Sequence, residues 1–320
     1  MQRPERCIVV LGTGGTIAGV ADSAQDDVGY RSAQLGVAQL VQAVPALADQ
    51  CIEAEQVAQI DSKDMDVATW QHLATRAAHH LARDVVAGVV VTHGTDTLEE
   101  TAWFLHRVLG PRKPLVLTAA MRPASSAIAD GPGNLLNAAR VASHADACGV
   151  VVVMAGRVHA AMDVRKAHSS RIDAFDSGDA EPLALIDSSG LRSLRDWPES
   201  DAPLGLSHIA ADASQWPWVE LITSHAAARA NAVEALVAAG VRGIVIAGTG
   251  MGTLHHELEL ALRRAQRSGV EVRLATRCAL GPVVVAAVVA EPMFASYEGL
   301  SAVKSRVELM LELLGRSAPD

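Results

Sequence analysis

Two short segments place threonine hydroxyls where a ligand could meet them. Gly12-Thr13-Gly14-Gly15-Thr16-Ile17-Ala18-Gly19 follows the apolar run Cys7 to Leu11, and Thr92-His93-Gly94-Thr95-Asp96-Thr97-Leu98-Glu99-Glu100 follows Val85 to Val91. Runs of this kind, mostly β-branched and without alternation, read as strands of a parallel sheet covered on both faces. Ligands of open α/β sheets bind at the carboxyl ends of such strands. The glycines fit a tight turn needing positive φ, which would hold Thr16 at a strand mouth. A threonine doublet there suits hydroxyl-nucleophile chemistry. Because a threonine hydroxyl is a weak nucleophile, it needs a base or a charged network. Lys166, in the loop Met162-Asp163-Val164-Arg165-Lys166, is the candidate base, since desolvation would lower its pKa.

Competing chemistries fit less well. The dinucleotide fingerprint requires a third glycine or alanine where this chain has Ile17, and a helix where Asp22-Ser23-Ala24-Gln25-Asp26-Asp27 reads as a polar loop. Neither a Gly-Lys-Ser/Thr P-loop nor a Gly-x-Ser-x-Gly elbow occurs. The histidines show no HExxH pattern, and the pairs His79-His80 and His255-His256 point in different directions on expected helices, so no metal is expected. Ser125, Ser126 and Asp130 read as loop and capping chemistry, and Gly248 to Thr253 as a plain strand-to-helix connection.

The elements that must position these residues follow from length and patterning. At 320 residues the chain is two domains long, taking roughly 150 residues per domain. Apolar runs at Ile8–Leu11, Val85–Val91, Leu115–Ala119, Val150–Met154 and Ile244–Ala247 alternate with helical patterns at 65–81, 96–109, 135–143, 230–238, 254–267 and 302–314. In 96–109 the stripe Leu98, Ala102, Leu105 and Leu109 marks one face, and Asp96 with Glu99 resembles a capping box. The alternation predicts an α/β fold: a larger parallel-sheet domain over 1–190, an inter-domain linker or long loop with a short hairpin over 191–217, and a smaller α/β domain over 218–320.

A net charge of -9 argues against nucleic acid or an anionic membrane as partner. The longest apolar run, Pro282 to Ala290, is half the length of a membrane span. Four cysteines lie far apart without a CxxC pair, so neither a zinc site nor a disulfide framework is expected; Cys7 and Cys148 read as small buried hydrophobes. An expected strand beginning at Cys7 leaves no room for a signal peptide, which predicts a cytoplasmic protein.

These residues resemble the bacterial L-asparaginase family of threonine amidohydrolases. The resemblance spans most of the chain and is strongest over 8–170. It rests on Thr13-Gly14-Gly15-Thr16-Ile17-Ala18-Gly19 and His93-Gly94-Thr95-Asp96-Thr97-Leu98-Glu99-Glu100, a highly specific combination. Further matches lie at Gln56 to Met65, Ala120 to Pro123, Ala129 to Leu135 and Asp163 to Lys166. The resemblance implies Thr16 as primary nucleophile with Tyr30 on a mobile loop beside it. It implies Thr95, Asp96 and Lys166 as a second triad activating water or the nucleophile. Ser62 and Asp96 would hold the substrate α-carboxylate and α-amino groups. It also implies a cofactor-independent enzyme that hydrolyses a small amino-acid amide, assembled as a homo-oligomer, dimer or tetramer, with the partner's C-terminal domain completing each site.

Three positions depart from the family pattern. Met251 stands where many members have asparagine, Val288 falls at the position of a partner-supplied glutamate, and Lys63 replaces a neutral amide. Losing a carboxylate and gaining a cation near an ammonium pocket should weaken α-amino recognition. The leading expectation is conversion of L-asparagine to L-aspartate and ammonia. The rivals are a glutaminase-asparaginase, an amidase for a related substrate lacking the α-ammonium, and a non-catalytic amino-acid-binding protein. The last would be marked by loss of Thr16 or Lys166, and both are present.

Overall fold

A computed structural model describes residues 6–200, 202–284 and 294–316, which divide into two compact units at Ser207/His208.

Unit 1 is built on an eight-stranded sheet. Five strands run parallel: β1 (Cys7–Gly14), β4 (Ile52–Ile60), β5 (Val86–Thr92), β6 (Leu115–Thr118) and β7 (Val150–Met154). The antiparallel strands β8 (Arg157–Ala160), β11 (Ala184–Asp187) and β12 (Gly190–Ser193) extend the sheet past β7, so it is mixed rather than purely parallel. The short strands β2 (Val20–Ala21) and β3 (Tyr30–Arg31), and β9 (Arg165–Lys166) and β10 (Phe175–Asp176), form two separate ribbons.

Alternation sends β1 side chains to both faces. Ile8 and Val10 join a core with residues of α1 (Val37–Gln42) and α4 (Gly131–Ala142). Val9 and Leu11, on the opposite face, are fully buried as well. The remaining helices of the unit, α2 (Val67–Leu81) and α3 (Leu98–Leu109), pack on each other and on the sheet. Both long faces are therefore dry, which is why the central strands read as unbroken valine, leucine and isoleucine. β4 is different. It is an edge strand, paired on one side only, and its alternating sequence carries Glu53 and Glu55 outward to Arg83 and Arg76.

Unit 2 repeats the principle on a smaller scale. The parallel sheet β13 (Val219–Thr223), β14 (Gly243–Gly248), β15 (Glu271–Thr276) packs with α5 (Asn231–Ala238), α6 (His256–Arg267) and α7 (Ala302–Arg316). No helix among the described residues is long and apolar enough to cross a membrane.

The cysteine expectation needs correction. Cys7 and Cys51 form a disulfide with Cα atoms 4.6 Å apart. Their separation of 44 residues hides the pairing in the sequence. The parallel register of β1 on β4 sets Ile8 opposite Ile52, so the residue before each is brought side by side. Cys148 is half-buried and free, and burial raises its thiol pKa; Cys278 is free and exposed.

Candidate active site

The site forms where β1 and β5, adjacent and parallel, end together: Gly12 lies opposite Thr92. Beyond that register the two glycine-containing turns touch. A Cβ on Gly15, whose φ is 81°, would stand 2.3 Å from Gly94 Cα, so only glycine permits the approach. Thr13 Oγ1 donates to the Thr92 carbonyl at 3.0 Å, and the Gly15 N–H donates to Ile60 at 2.9 Å, which fixes the first turn against both neighbouring strands.

These turns place Thr16 and Thr95 on one cavity of about 420 Å³, lined also by Tyr30, Asp96 and Lys166. Thr16 Oγ1 lies 2.7 Å from Tyr30 Oη. Tyr30 is held by the β2–β3 pairing, which sets Ala21 opposite Tyr30, and by Gly19, where a Cβ would come within 2.8 Å of the tyrosine ring. Lys166 Nζ donates to Thr95 Oγ1 at 2.9 Å and to Asp96 Oδ1 at 2.7 Å. The Lys166 side chain is 20% exposed, whereas Asp96 is 51% exposed, so the carboxylate faces the opening and the amine lies behind it.

Asp96 and Glu99 do not form the expected capping box. The N-cap of α3 is Thr97, without a side-chain cap bond. Both carboxylates serve Lys166 instead: Asp96 takes its amine, and Glu99 Oε1 accepts its backbone N–H at 3.2 Å. Glu99 is therefore a site-supporting residue that its capping-like spacing concealed.

Ser62 sits behind the lining residue Asp61 and is buried. Its Oγ accepts the Asp96 N–H at 3.2 Å, and its carbonyl accepts Thr97 Oγ1 at 2.7 Å. The Ser62 turn thus braces the Thr95–Thr97 segment. Lys63 is not itself among the lining residues; its amine pairs with Asp64 (2.6 Å) and with the lining Asp61 (3.5 Å), and the Asp64 hydrogen bond raises its pKa. Met251 is exposed in unit 2, and Val288 lies outside the described residues.

The cavity also gathers Asp27, Asp61, Met121 and Arg122, which the sequence reading did not single out as site residues. Arg122 pairs with Asp27 at 3.4 Å, and the Ala21 N–H donates to Ser125 Oγ at 2.8 Å. These contacts dock the Asp22–Gly29 loop on the Arg122–Ala129 turn. Asp130 accepts the N–H groups of Met121 and Arg122, at 3.0 and 2.9 Å, which holds that turn in place. No group of three or more His, Cys, Asp or Glu side chains suited to a metal occurs among the described residues.

Residues 7–198 match the family described as asparaginase, N-terminal, and residues 218–319 match the glutaminase/asparaginase C-terminal domain. The chain is 35% identical to L-asparaginase 2 of Bacillus subtilis (strain 168), over 98% of this chain and 84% of that one. It is 37% identical to L-asparaginase 2 of Escherichia coli (strain K12), over 98% and 90% of the two chains. The glutaminase-asparaginase of Pseudomonas fluorescens biotype A is 35% identical over 83% of this chain and 74% of its own. Among solved structures, the probable cytoplasmic L-asparaginase of Campylobacter jejuni superposes with a TM-score of 0.90 at 35% identity, covering 98% of this chain and 96% of that one.

Proposed function

The chain belongs to the asparaginase family, and on that premise we propose how its unit 1 cavity turns over an amide. It is an L-asparaginase, converting L-asparagine and water to L-aspartate and ammonia. The observation that carries the mechanism is the meeting of Thr16–Tyr30 and Thr95–Lys166–Asp96 on one cavity.

In our reading Thr16 Oγ1 attacks the side-chain amide carbon while its proton leaves toward Tyr30 Oη. The carbonyl oxygen becomes an oxyanion, which backbone N–H groups of the two turns stabilise. Collapse breaks the C–N bond, the nitrogen takes a proton and leaves as ammonia, and the acyl group remains as an ester of Thr16. Water then attacks the ester as its proton passes to Thr95 Oγ1 and the Thr95 proton passes to Lys166 Nζ acting as base. The Thr95–Lys166 hydrogen bond runs from the hydroxyl to the amine in this step. The bond from the acyl carbon to Thr16 Oγ1 breaks, the Thr16 oxygen takes a proton back, and L-aspartate leaves. Asp96 has two tasks: it holds the Lys166 amine and presents its exposed carboxylate oxygen to the substrate α-ammonium. Ser62 receives the α-carboxylate in this scheme and braces the Thr95 segment.

Three finer assignments belong to the same proposal. The enzyme works as a homo-oligomer, dimer or tetramer. The exposed Met251 and Val284 of unit 2 support this, with the Val284 N–H bonded to the Met251 carbonyl so that the two apolar side chains neighbour each other at the surface. It resides in the cytoplasm, as the Campylobacter neighbour's name also has it. The boundary between its catalytic and C-terminal domains lies within 191–217.

Ammonia release from asparagine, glutamine and succinamic acid, compared as kcat/KM, tests the reading. Asparagine should lead. A lead for succinamic acid would show that the α-ammonium is not recognised, and silence on all three would remove the amidase assignment.

A further inference from the structure

Behind the Thr95 turn lies a buried chain of hydrogen bonds that the reaction scheme does not use. His93 is fully buried. Its Nδ1 lies 2.7 Å from the Gly94 carbonyl oxygen and its Nε2 lies 3.0 Å from Thr101 Oγ1. Trp70 Nε1 donates to the same Thr101 hydroxyl at 2.8 Å, and the Trp70 ring stacks on Phe104 with centroids 4.9 Å apart.

The donors and acceptors leave one consistent assignment. A carbonyl oxygen only accepts, so His93 Nδ1 carries the proton. Nε2 is then bare and accepts from Thr101, whose oxygen is already accepting from the indole. We propose that His93 is a positioning residue: its Nδ1–H bond to the Gly94 carbonyl sets the orientation of the Gly94–Thr95 peptide, and Thr101 and Trp70 set its tautomer. The peptide is planar and trans, so turning the Gly94 carbonyl toward His93 turns the Thr95 N–H the other way. That N–H has no acceptor among the described residues, as a donor reserved for an oxyanion requires. Without His93 the peptide is free to rotate, and the donor and the Thr95 hydroxyl would both lose their aim. Burial holds the imidazole pKa down to about 4, so the ring stays neutral across the neutral range.

This inference rests on the amidase reading of the cavity, and two His93 variants separate positioning from mere filling of space. Asparagine places an amide N–H where Nδ1 stood but is smaller; methionine fills the volume but donates nothing. If His93 positions the peptide, His93→Asn keeps kcat within about threefold of wild type, whereas His93→Met loses on the order of 10²-fold in kcat with KM little changed. The reverse ranking would show a packing role and overturn the proposal. Thr101→Val should lower kcat to an intermediate value by releasing the tautomer; an unaltered kcat there would remove Thr101 from it. A readout independent of turnover is the ¹⁵N spectrum of the wild-type imidazole, which must show a protonated Nδ1 and a bare Nε2. The opposite tautomer would refute the assignment even if both variants failed to fold. Inactive wild-type enzyme with the expected tautomer would instead condemn the amidase reading.

Discussion

Gly15 and Gly94 meet backbone to backbone: a Cβ on the first would lie 2.3 Å from the Cα of the second, and one on Gly94 would lie 2.4 Å from Ser62 Oγ. Each glycine immediately precedes a site threonine. The contact therefore sets the spacing of Thr16 and Thr95 more directly than either strand does. Gly94→Ala should cost on the order of 10²-fold in kcat, because its Cβ would stand 2.4 Å from Ser62 Oγ and 3.1 Å from Gly15 Cα, so the Thr95 turn must shift, and a misplacement of about 1 Å is enough for that loss. Gly15→Ala should cost more, since its φ of 81° adds strain. Steady-state kinetics on the soluble variants would check both, and a Gly94→Ala enzyme with unimpaired kcat would mean the close approach is not needed.

In the proposed scheme the two hydroxyls carry different steps, and that difference is measurable. Thr16→Ala removes the attacking oxygen, so no ester forms. Thr95→Ala and Lys166→Met leave Thr16 in place but remove the relay that activates water. All three should lose about 10³-fold or more in kcat, with Tm close to wild type. A rapid quench of the Thr95→Ala enzyme with asparagine should trap a covalent adduct that the Thr16→Ala enzyme cannot form. Adduct on the Thr16 variant would reassign the nucleophile.

Glu99 accepts the Lys166 backbone N–H from the first turn of α3, while Lys166 itself belongs to the ribbon strand β9. Glu99→Gln keeps the shape and weakens a charge-assisted bond, so it should lower kcat by roughly 3- to 10-fold. Glu99→Ala should cost more. If both variants matched wild type, the anchor would be dispensable.

The legible parts of this molecule were those encoded locally. The valine-rich strands and the helices starting near 67, 98, 231, 256 and 302 follow from periodicity alone. Thr16 and Thr95 stand out because a glycine turn after a buried strand is a local pattern. What escaped depends on register. The partner of Cys7 is fixed by how β1 lies on β4, and the role of Glu99 by where the β9 ribbon comes to rest on α3. The edge strand β4 escaped because its exposed face carries glutamates rather than valines. Asp27 and Arg122 stand 95 positions apart in the sequence, and no spacing rule pairs them.

Cys7 opens β1 and Cys51 immediately precedes β4, at the far end of β1 from Thr16. A bond closing a loop of this size contributes about 4 kcal/mol by restricting the unfolded chain. Dithiothreitol, or Cys51→Ser, should therefore lower Tm on the order of 10 °C while leaving kcat at 25 °C unchanged. The same pair reports on compartment. Alkylation of protein quenched directly from cells should find free thiols if the enzyme is cytoplasmic. An intact bond in such a sample would place it in an oxidising compartment.

Acid should unfold the enzyme in two stages whose signs follow from the groups whose pKa the fold lowers. Desolvation lowers His93 and His106 from 6.5 to about 4. Between those values the unfolded chain binds protons that the folded chain refuses, so stability is fully present above pH 6.5 and falls as pH drops toward 4. For fully buried His93 the loss is about 3 kcal/mol. Glu55 is held at about 2 chiefly by its hydrogen bonds to Arg76, so its contribution is present above pH 4.5 and is lost only as pH falls further. Urea midpoints measured from pH 8 to 3 should be level down to about 6.5 and then decline. His106 offers a clean test, because its Nδ1 is buried with no hydrogen-bond partner among the described residues. His106→Leu removes the titrating group and the unpaired nitrogen together, so it should flatten part of the decline between 6.5 and 4. A midpoint that rises on acidification through this window would contradict the assignment of both histidines.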